Sequence, residues 1–416
     1  MSGAQSRPGG SRKSKLIRER WIAWSARRSP GVAAAVKVIL SIDGIKPPLT
    51  GIGKYTWELA NRIPTLPGIE LVRFVAGGNW VSDVQSRMKQ SPAKLAAHRR
   101  LLRNGLVVAA YRKLSPMLMR RRLRRFGDHV YHGSSFYLPP FAGPSIATFH
   151  DLSIYRYPQC HPPERVAFMT KEIPVALRRA SFLITDSEYI RREVIEFFDW
   201  PADRIKAIPL GVSDEFHPRN MELTAGVLDK FGLQHGGYAL CVATIEPRKN
   251  IGALLRAYGS LPIALRTRYT LVLAGDRGWR SESLHEQIGQ GQSQGWLRYL
   301  GYVDTADLPA LYAGARGFVF PSLYEGFGLP LLEAMASGLP VLTSANSTLA
   351  EVASGAALLV DPEDDDAIAS GIHTVLEDDA WRSAAIARSL AVAAKYSWDQ
   401  TARRTVEIYG DVSRST

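Results

Sequence analysis

The chain has 416 residues, 46% hydrophobic and 22% charged, with a formal net charge of +13 and two cysteines. That length suits two separately cored domains, and the composition is that of a folded globular protein rather than a disordered or disulfide-framework one. No stretch offers 18 uninterrupted apolar residues and the opening MSGAQSRPGGSRKSK lacks the apolar core of a secretory signal, so a membrane span is not expected and a cytoplasmic location is.

The charge is unevenly placed. Residues 1–37 hold nine Lys/Arg and one acid, residues 94–126 hold eleven and none, and the rest of the chain is near −6. The excess marks a localised basic face. Residues 1–35 begin Gly/Ser/Arg-rich and are expected to form a flexible basic tail. Within them KLIRERWIAWSARR either forms a short amphipathic helix, with Leu16, Ile17, Trp21 and Trp24 against a basic face, or binds nothing.

The first strand is VKVILSID (36–43), followed by a glycine-containing turn into a helix over GIKPPLTGIGKYTWELANRI. Gly51 and Gly53 can let the backbone approach a ligand at the carboxyl end of that strand. ELVRFVAG continues as a second strand. Residues 94–126 read as basic helices broken near Gly105 and Ser115-Pro116. Their mixture of Arg/Lys with Leu, Val, Tyr and Met suits docking on an anionic membrane surface at the inner face. A solvated face is the plain alternative and nucleic acid a rival, but no nucleic-acid module accompanies the run. PSIATFH is a strand ending at His150, where a ring at the sheet's carboxyl edge can meet a ligand or serve as a structural hydrogen-bonding residue. A helix over 162–179 and a strand ending at Asp186-Ser187 follow, the pair reading as a helix cap rather than a catalyst. Cys160 is expected in a loop or at the surface and Cys241 in a core, neither with metal-ligand spacing.

IKAIPLGVSDEFHP (205–218) reads as the passage between domains, so the expected division is a tail (1–35), an N-terminal domain (36–212) and a C-terminal domain (213–396). The second domain opens with a strand at Tyr238–Ala243, then Glu246-Pro247-Arg248-Lys249-Asn250 and a helix from Ile251 that Asn250 can cap. Arg248 and Lys249 at a strand-to-helix switch either neutralise the two negative charges of a nucleotide diphosphate or are an ordinary solvated pair. TLVLAGDRGW and LRYLGYVDTADLPALYAGA supply further strands and a helix. In RGFVFPSLYEGFGLPLLEAMASGLP (316–340) a buried strand, a loop and a helix starting at Leu329-Pro330 follow one another. Glu325 stands in the loop and Glu333 one turn into the helix, with seven residues between them. The amides of Gly326, Phe327, Gly328 and Leu329 at the positive helix end suit a diphosphate, and the carboxylates suit sugar hydroxyls. Residues 380–412 are expected to be helical.

The 316–340 stretch resembles the E-x7-E signature of the retaining glycosyltransferases of family 4, in the context P-S-x-Y-E-G-F-G-L-P-x-x-E-A-M-A-x-G-x-P. The resemblance covers about 36–412 and is weaker in the N-terminal half. It implies the α/β GT-B fold, two doubly wound Rossmann-like domains facing a deep cleft, with a terminal helix (about 397–416) crossing back onto the first domain. It implies that Gly51 and Gly53 lie over the donor phosphates and that His150 contacts the donor sugar. Arg248 and Lys249 would hold the diphosphate and backbone around Tyr302-Val303 would meet the nucleobase. Glu325 would bind sugar hydroxyls and Glu333 the ribose diol, neither as nucleophile, and the departing phosphate would accept the acceptor's proton. The E-P-R-K-N form resembles the GDP-mannose branch that builds bacterial surface polysaccharide, with mannose or rhamnose moved to a lipid-linked or glycan acceptor. The resemblance to metal-independent GT-B enzymes implies that no cofactor and no metal is needed. A nucleotide-sugar epimerase or phosphorylase of the same fold, and a basic nucleic-acid-binding protein, are the alternatives.

Overall fold

In the computed structural model, residues 35–89 and 117–415 are described. The predicted amphipathic segment near Trp21 and most of the 94–126 basic run lie outside them. Among the described residues two sheets form. The first has seven strands in the order β3-β2-β1-β4-β5-β6-β7: β1 (Val36–Ser41), β2 (Ile69–Ala76), β3 (Asn79–Val81), β4 (Val130–Gly133), β5 (Ser145–Phe149), β6 (Phe182–Thr185) and β7 (Ile205–Ala207). All pair in parallel except the β2–β3 hairpin. The second has six parallel strands in the order β10-β9-β8-β11-β12-β13: β8 (Tyr238–Val242), β9 (Thr270–Ala274), β10 (Leu297–Gly301), β11 (Gly317–Phe320), β12 (Val341–Ser344) and β13 (Leu358–Val360). Near-continuous runs such as VKVIL, ALCV and GFVF suit strands covered on both faces, and their residues are buried except Lys37 and Val242, which are partly exposed.

In both sheets the order reverses beside the first strand, between β1 and β4 and between β8 and β11. The crevice outside the carboxyl ends at such a reversal is where doubly wound sheets bind ligands. Residues 243–250 and 321–328 leave β8 and β11 at the second reversal, and 150–151 and 186–188 leave β5 and β6 along the same carboxyl edge of the first sheet.

The helix Trp398–Arg414 packs on β1, β4 and the helix Gly51–Arg62 of the first sheet's domain. Ser397 caps it by accepting from the Asp399 amide, and Trp398, Ala402, Ile408, Tyr409 and Val412 form its buried face. Tyr409 Oη meets His132 Nδ1 at 2.6 Å, and His132 Nε2 meets Thr148 Oγ1 at 2.9 Å. Burial holds the His132 ring neutral, its pKa pulled down to about 3.

Four local expectations need correction. Gly51 and Gly53 lie in the first turn of the helix Gly51–Arg62, not in a turn before it. Cys160 is buried at 4% exposure, because the Pro158–Cys160 turn is folded against the second domain. Asn250 holds the cap position in a left-handed conformation (φ 57°) without a capping bond; its amide instead donates to the Pro321 and Pro362 carbonyls. Of the Asp186-Ser187 pair only Ser187 caps, accepting from the Ile190 amide.

Candidate active site

The short helix Leu329–Ala336 organises the site. Gly328 precedes it with φ 99°, and a Cβ there would stand 2.4 Å from Leu349 Cδ2, so only glycine lets the loop turn into the helix. Pro330 sits in the first turn, where its missing N–H costs nothing, and the helix ends as Gly338 turns left-handed. Phe327 and Leu329 bury their side chains in the hydrophobic core, Phe327 edge-on to Tyr396 at 5.8 Å.

Glu325 is 7% exposed and gathers three partners. Arg248 Nη1 lies 3.1 Å from Oε2, while Lys249 Nζ and Ser322 Oγ each lie 2.6 Å from Oε1. Burial alone would raise the Glu325 pKa, but the two cations outweigh it and hold the carboxyl at about 2. Arg248 is itself fixed by Glu246 Oε1 at 2.9 Å and the Tyr324 carbonyl at 2.5 Å. Burial disfavours its charge, yet Glu325, Asp151 and Glu246 together raise its pKa. Arg248 Nε remains buried with no hydrogen-bond partner among the described residues.

The first domain closes on this cluster. His150 follows β5, with Nδ1 2.7 Å from Asp186 Oδ2 and Nε2 2.9 Å from the Ser134 carbonyl. A carboxylate and a carbonyl face the two ring nitrogens, an arrangement that favours the doubly protonated ring. Its burial pulls the pKa down, but Asp186's charge and hydrogen bond carry it above the ordinary value. Asp186 Oδ1 is buried without a partner among the described residues. Tyr55 stands edge-on to the His150 ring at 5.0 Å. Asp151 accepts from the Ser153 amide and hydroxyl at 2.9 and 2.7 Å. Burial works against its charge, and nearby Arg248 with those bonds still holds its pKa below the usual carboxylate range.

The two halves touch at Gly326. A Cβ there would lie 1.8 Å from the His150 carbonyl oxygen, and Ser187 Oγ donates to the Gly326 carbonyl at 3.1 Å. Glu333, 7% exposed, binds Lys54 Nζ at 2.8 Å across the cleft and accepts from Tyr312 Oη at 3.1 Å. Gly51 also faces the second domain, its notional Cβ 3.9 Å from Leu329 Cδ1, whereas Gly53 packs inward, 3.0 Å from the Gly44 carbonyl. Val303 is buried in the loop after β10, two strand positions from β8 at the same sheet edge.

Arg248, Lys249, Glu325, Gly326 and the backbone of His150 are thus brought together, with Glu333 in the helix that follows the same loop, while Gly53 and Val303 stand further back. Sequence reasoning missed Asp186, Asp151, Lys54, Tyr324 and Glu246. Only the last is signalled locally, as a carboxylate two residues before Arg248. A cavity of about 610 Å³ lies elsewhere, lined by Val36, Gly68, Val406 and Gly410 at the amino end of β1. Among the described residues, no group of three or more His, Cys, Asp or Glu side chains can hold a metal ion.

Chemically, the cluster offers two cations to a dianion, a carboxylate they would release to sugar hydroxyls, and a second carboxylate for a diol. Comparisons with known proteins bear on the family and the fold. Residues 231–391 match the family described as glycosyl transferases group 1, and residues 49–216 match glycosyltransferase family 4. The chain is 43% identical over 378 residues to the O-antigen chain mannosyltransferase B of Escherichia coli, covering 90% of this chain and 99% of that one. Among solved structures it resembles the Anabaena HepE protein in complex with UDP and glucose, at TM-score 0.67, 18% identity and 90% and 99% coverage. A Rickettsia africae glycosyltransferase matches at TM-score 0.66 and 17% identity, over 91% and 98% of the two chains.

Proposed function

The chain belongs to the group 1 glycosyltransferases of GT-B fold, in the bacterial polysaccharide branch, and from that premise we propose that it moves mannose from GDP-mannose to a lipid-linked or glycan acceptor with retention at the anomeric carbon. The observation that carries the reading is the convergence of Arg248 and Lys249 on Glu325 at the mouth of the Leu329–Ala336 helix. An incoming diphosphate exchanges partners with that carboxylate: its oxygens take the two cations and the helix amides, and Glu325 turns to sugar hydroxyls. Glu333, released from Lys54, takes the ribose diol. As the C1–O bond to phosphate lengthens, Arg248, Lys249 and the loop amides stabilise the charge gathering on the leaving group. The acceptor hydroxyl attacks C1 from the same face and passes its proton to the departing phosphate. His150, held charged by Asp186, lines the sugar side. The chemistry works without a divalent ion, the two cations supplying the counter-charge, so chelator leaves the rate unchanged.

The donor is favoured as GDP-linked by the mannosyltransferase relative and by the E-P-R-K-N run; rhamnose is the alternative cargo. The basic segments dock the enzyme on an anionic membrane surface at the inner face. In the described part, a helix over 117–123 buries Met119 and Leu123 and exposes Met117, Leu118, Arg120 and Arg121. No described helix is long and apolar enough to cross a membrane.

The test is incubation of the protein with GDP-mannose and a mannose-terminated lipid-linked acceptor, followed by NMR of the product's anomeric proton. An α-linked product from the α-linked donor supports the reading. A β-linked product removes retention, and turnover of UDP-sugars alone removes the GDP assignment. An epimerase would convert the donor with no acceptor present.

A further inference from the structure

Tyr324 immediately precedes Glu325 in the second domain's loop, yet its side chain is buried at 2% exposure in the first domain's core with Phe149, Leu152, Ile190 and Val194. Its hydroxyl donates to Glu193 Oε2 and accepts from the Leu152 amide at 3.1 Å. Glu193 is fixed from the other side by Arg156 Nε at 2.7 Å. Tyr157 and Tyr189 wall the ring at centroid distances of 5.5 and 6.5 Å. The same residue's carbonyl accepts from Arg248 Nη1 at 2.5 Å. One residue therefore ties three things together: the loop carrying Glu325, the phosphate-side Arg248, and the segment two residues beyond His150.

We infer that Tyr324 is a positioning residue, plugged into the first domain between Glu193 and the Leu152 amide, that sets Glu325 and Arg248 against His150 only when the two domains are shut. The inference rests on the glycosyl-transfer reading and adds a coupling to it. Donor binding uses groups that the second domain already holds together, so it does not need the plug. Bond breaking does, because a loosely seated Glu325 leaves the sugar misaligned and the cleft open to water. In transfer, the acceptor oxygen bonds C1 as the C1–O bond to phosphate breaks, and the hydroxyl proton goes to the leaving phosphate. In a leaking cleft water takes the acceptor's place, giving free sugar and nucleoside diphosphate.

The experiment compares wild type with Tyr324→Phe, which keeps the ring and loses the hydroxyl, and with Glu193→Gln, which keeps the shape and loses the charge. Nucleoside diphosphate affinity, kcat for transfer, and the ratio of donor hydrolysis to transfer are measured on each folded protein. The expected result is an affinity within about twofold of wild type, a kcat lower by about tenfold or more, and a raised hydrolysis share in both variants. The double variant should lose little more than either single one, since both remove one contact. Unchanged kcat and hydrolysis share in both variants overturn the inference, as does an affinity that falls in step with kcat. A wild type that turns over no nucleotide sugar brings down the glycosyl-transfer reading itself, a separate and visible outcome.

Discussion

Glu325 shows how a buried acid can be kept ionised by its neighbours. Its side chain is 9% exposed, and the Arg248 and Lys249 charges outweigh the desolvation that would neutralise it. A depressed folded-state pKa contributes stability above the unfolded value of 4.5 that is lost as pH falls towards about 2. Glu325→Gln should therefore be less stable than wild type at neutral pH by about 3 kcal/mol, and the gap in denaturant unfolding should narrow below pH 4.5. A gap that stays constant across that window would contradict the pairing. His150 has the opposite sign. Its folded pKa is raised, so the contact of the charged ring with ionised Asp186 stabilises below 6.5 and fades as pH rises through the folded value, while burial, which raises the pKa of Asp186 itself, weakens the pair at the acid end. Asp186→Asn should bring the His150 ring titration down, as followed by proton NMR. An unmoved titration would mean that Asp186 does not hold the charge.

At the scale of elements, the close approach of the 321–328 loop to the β5 end decides whether the site assembles. A methyl at Gly326 would collide with the His150 carbonyl at 1.8 Å, with backbone on the receiving side that cannot step away cheaply. Gly326→Ala should fold, because either sheet can form without the other's loop, but lose about 100-fold in kcat as the carboxylate is displaced. Near wild-type kcat with an unchanged melting temperature would show that the closed contact is dispensable. The same scale explains what could be read from the chain. The Glu325–Glu333 spacing, the Pro330 start and the Arg248-Lys249 pair are local patterns, so the strand-loop-helix unit and its two carboxylates were legible. Lys54–Glu333, His150–Asp186 and Tyr324–Glu193 span 279, 36 and 131 positions and left no local trace. Gly51 and Gly53 were misplaced because glycine is a poor helix former and reads as a turn; close packing of the first turn against Gly44 and the facing domain overrides that preference. Cys160 was misplaced since nothing in its neighbours announces that Trp279, 119 positions away, donates its indole N–H to the Cys160 carbonyl.

The whole molecule joins a mostly parallel sheet and a fully parallel one, each with an order reversal beside its first strand, and the terminal helix returns to seal the first domain with Trp398 and Tyr409. Its charge is as polarised as its fold, with +13 overall and the excess concentrated in two segments. Each basic residue near an anionic bilayer is worth about 1 kcal/mol, so the protein should co-sediment with vesicles containing anionic lipid and not with zwitterionic ones. Neutralising Arg120, Arg121, Arg124 and Arg125 together should weaken that binding, and salt should reverse it. Equal binding to both vesicle types would remove the membrane from the account.

The central claim is that Arg248 and Lys249 receive the diphosphate of a nucleotide sugar. Calorimetric titration of GDP-mannose into wild type and Lys249→Met addresses it directly, because Arg248 still holds Glu325 in the variant and the fold should survive. The account predicts binding to wild type and a dissociation constant raised by about tenfold or more in the variant, the loss of one charged hydrogen bond. Equal affinity in the two proteins would place the donor somewhere else.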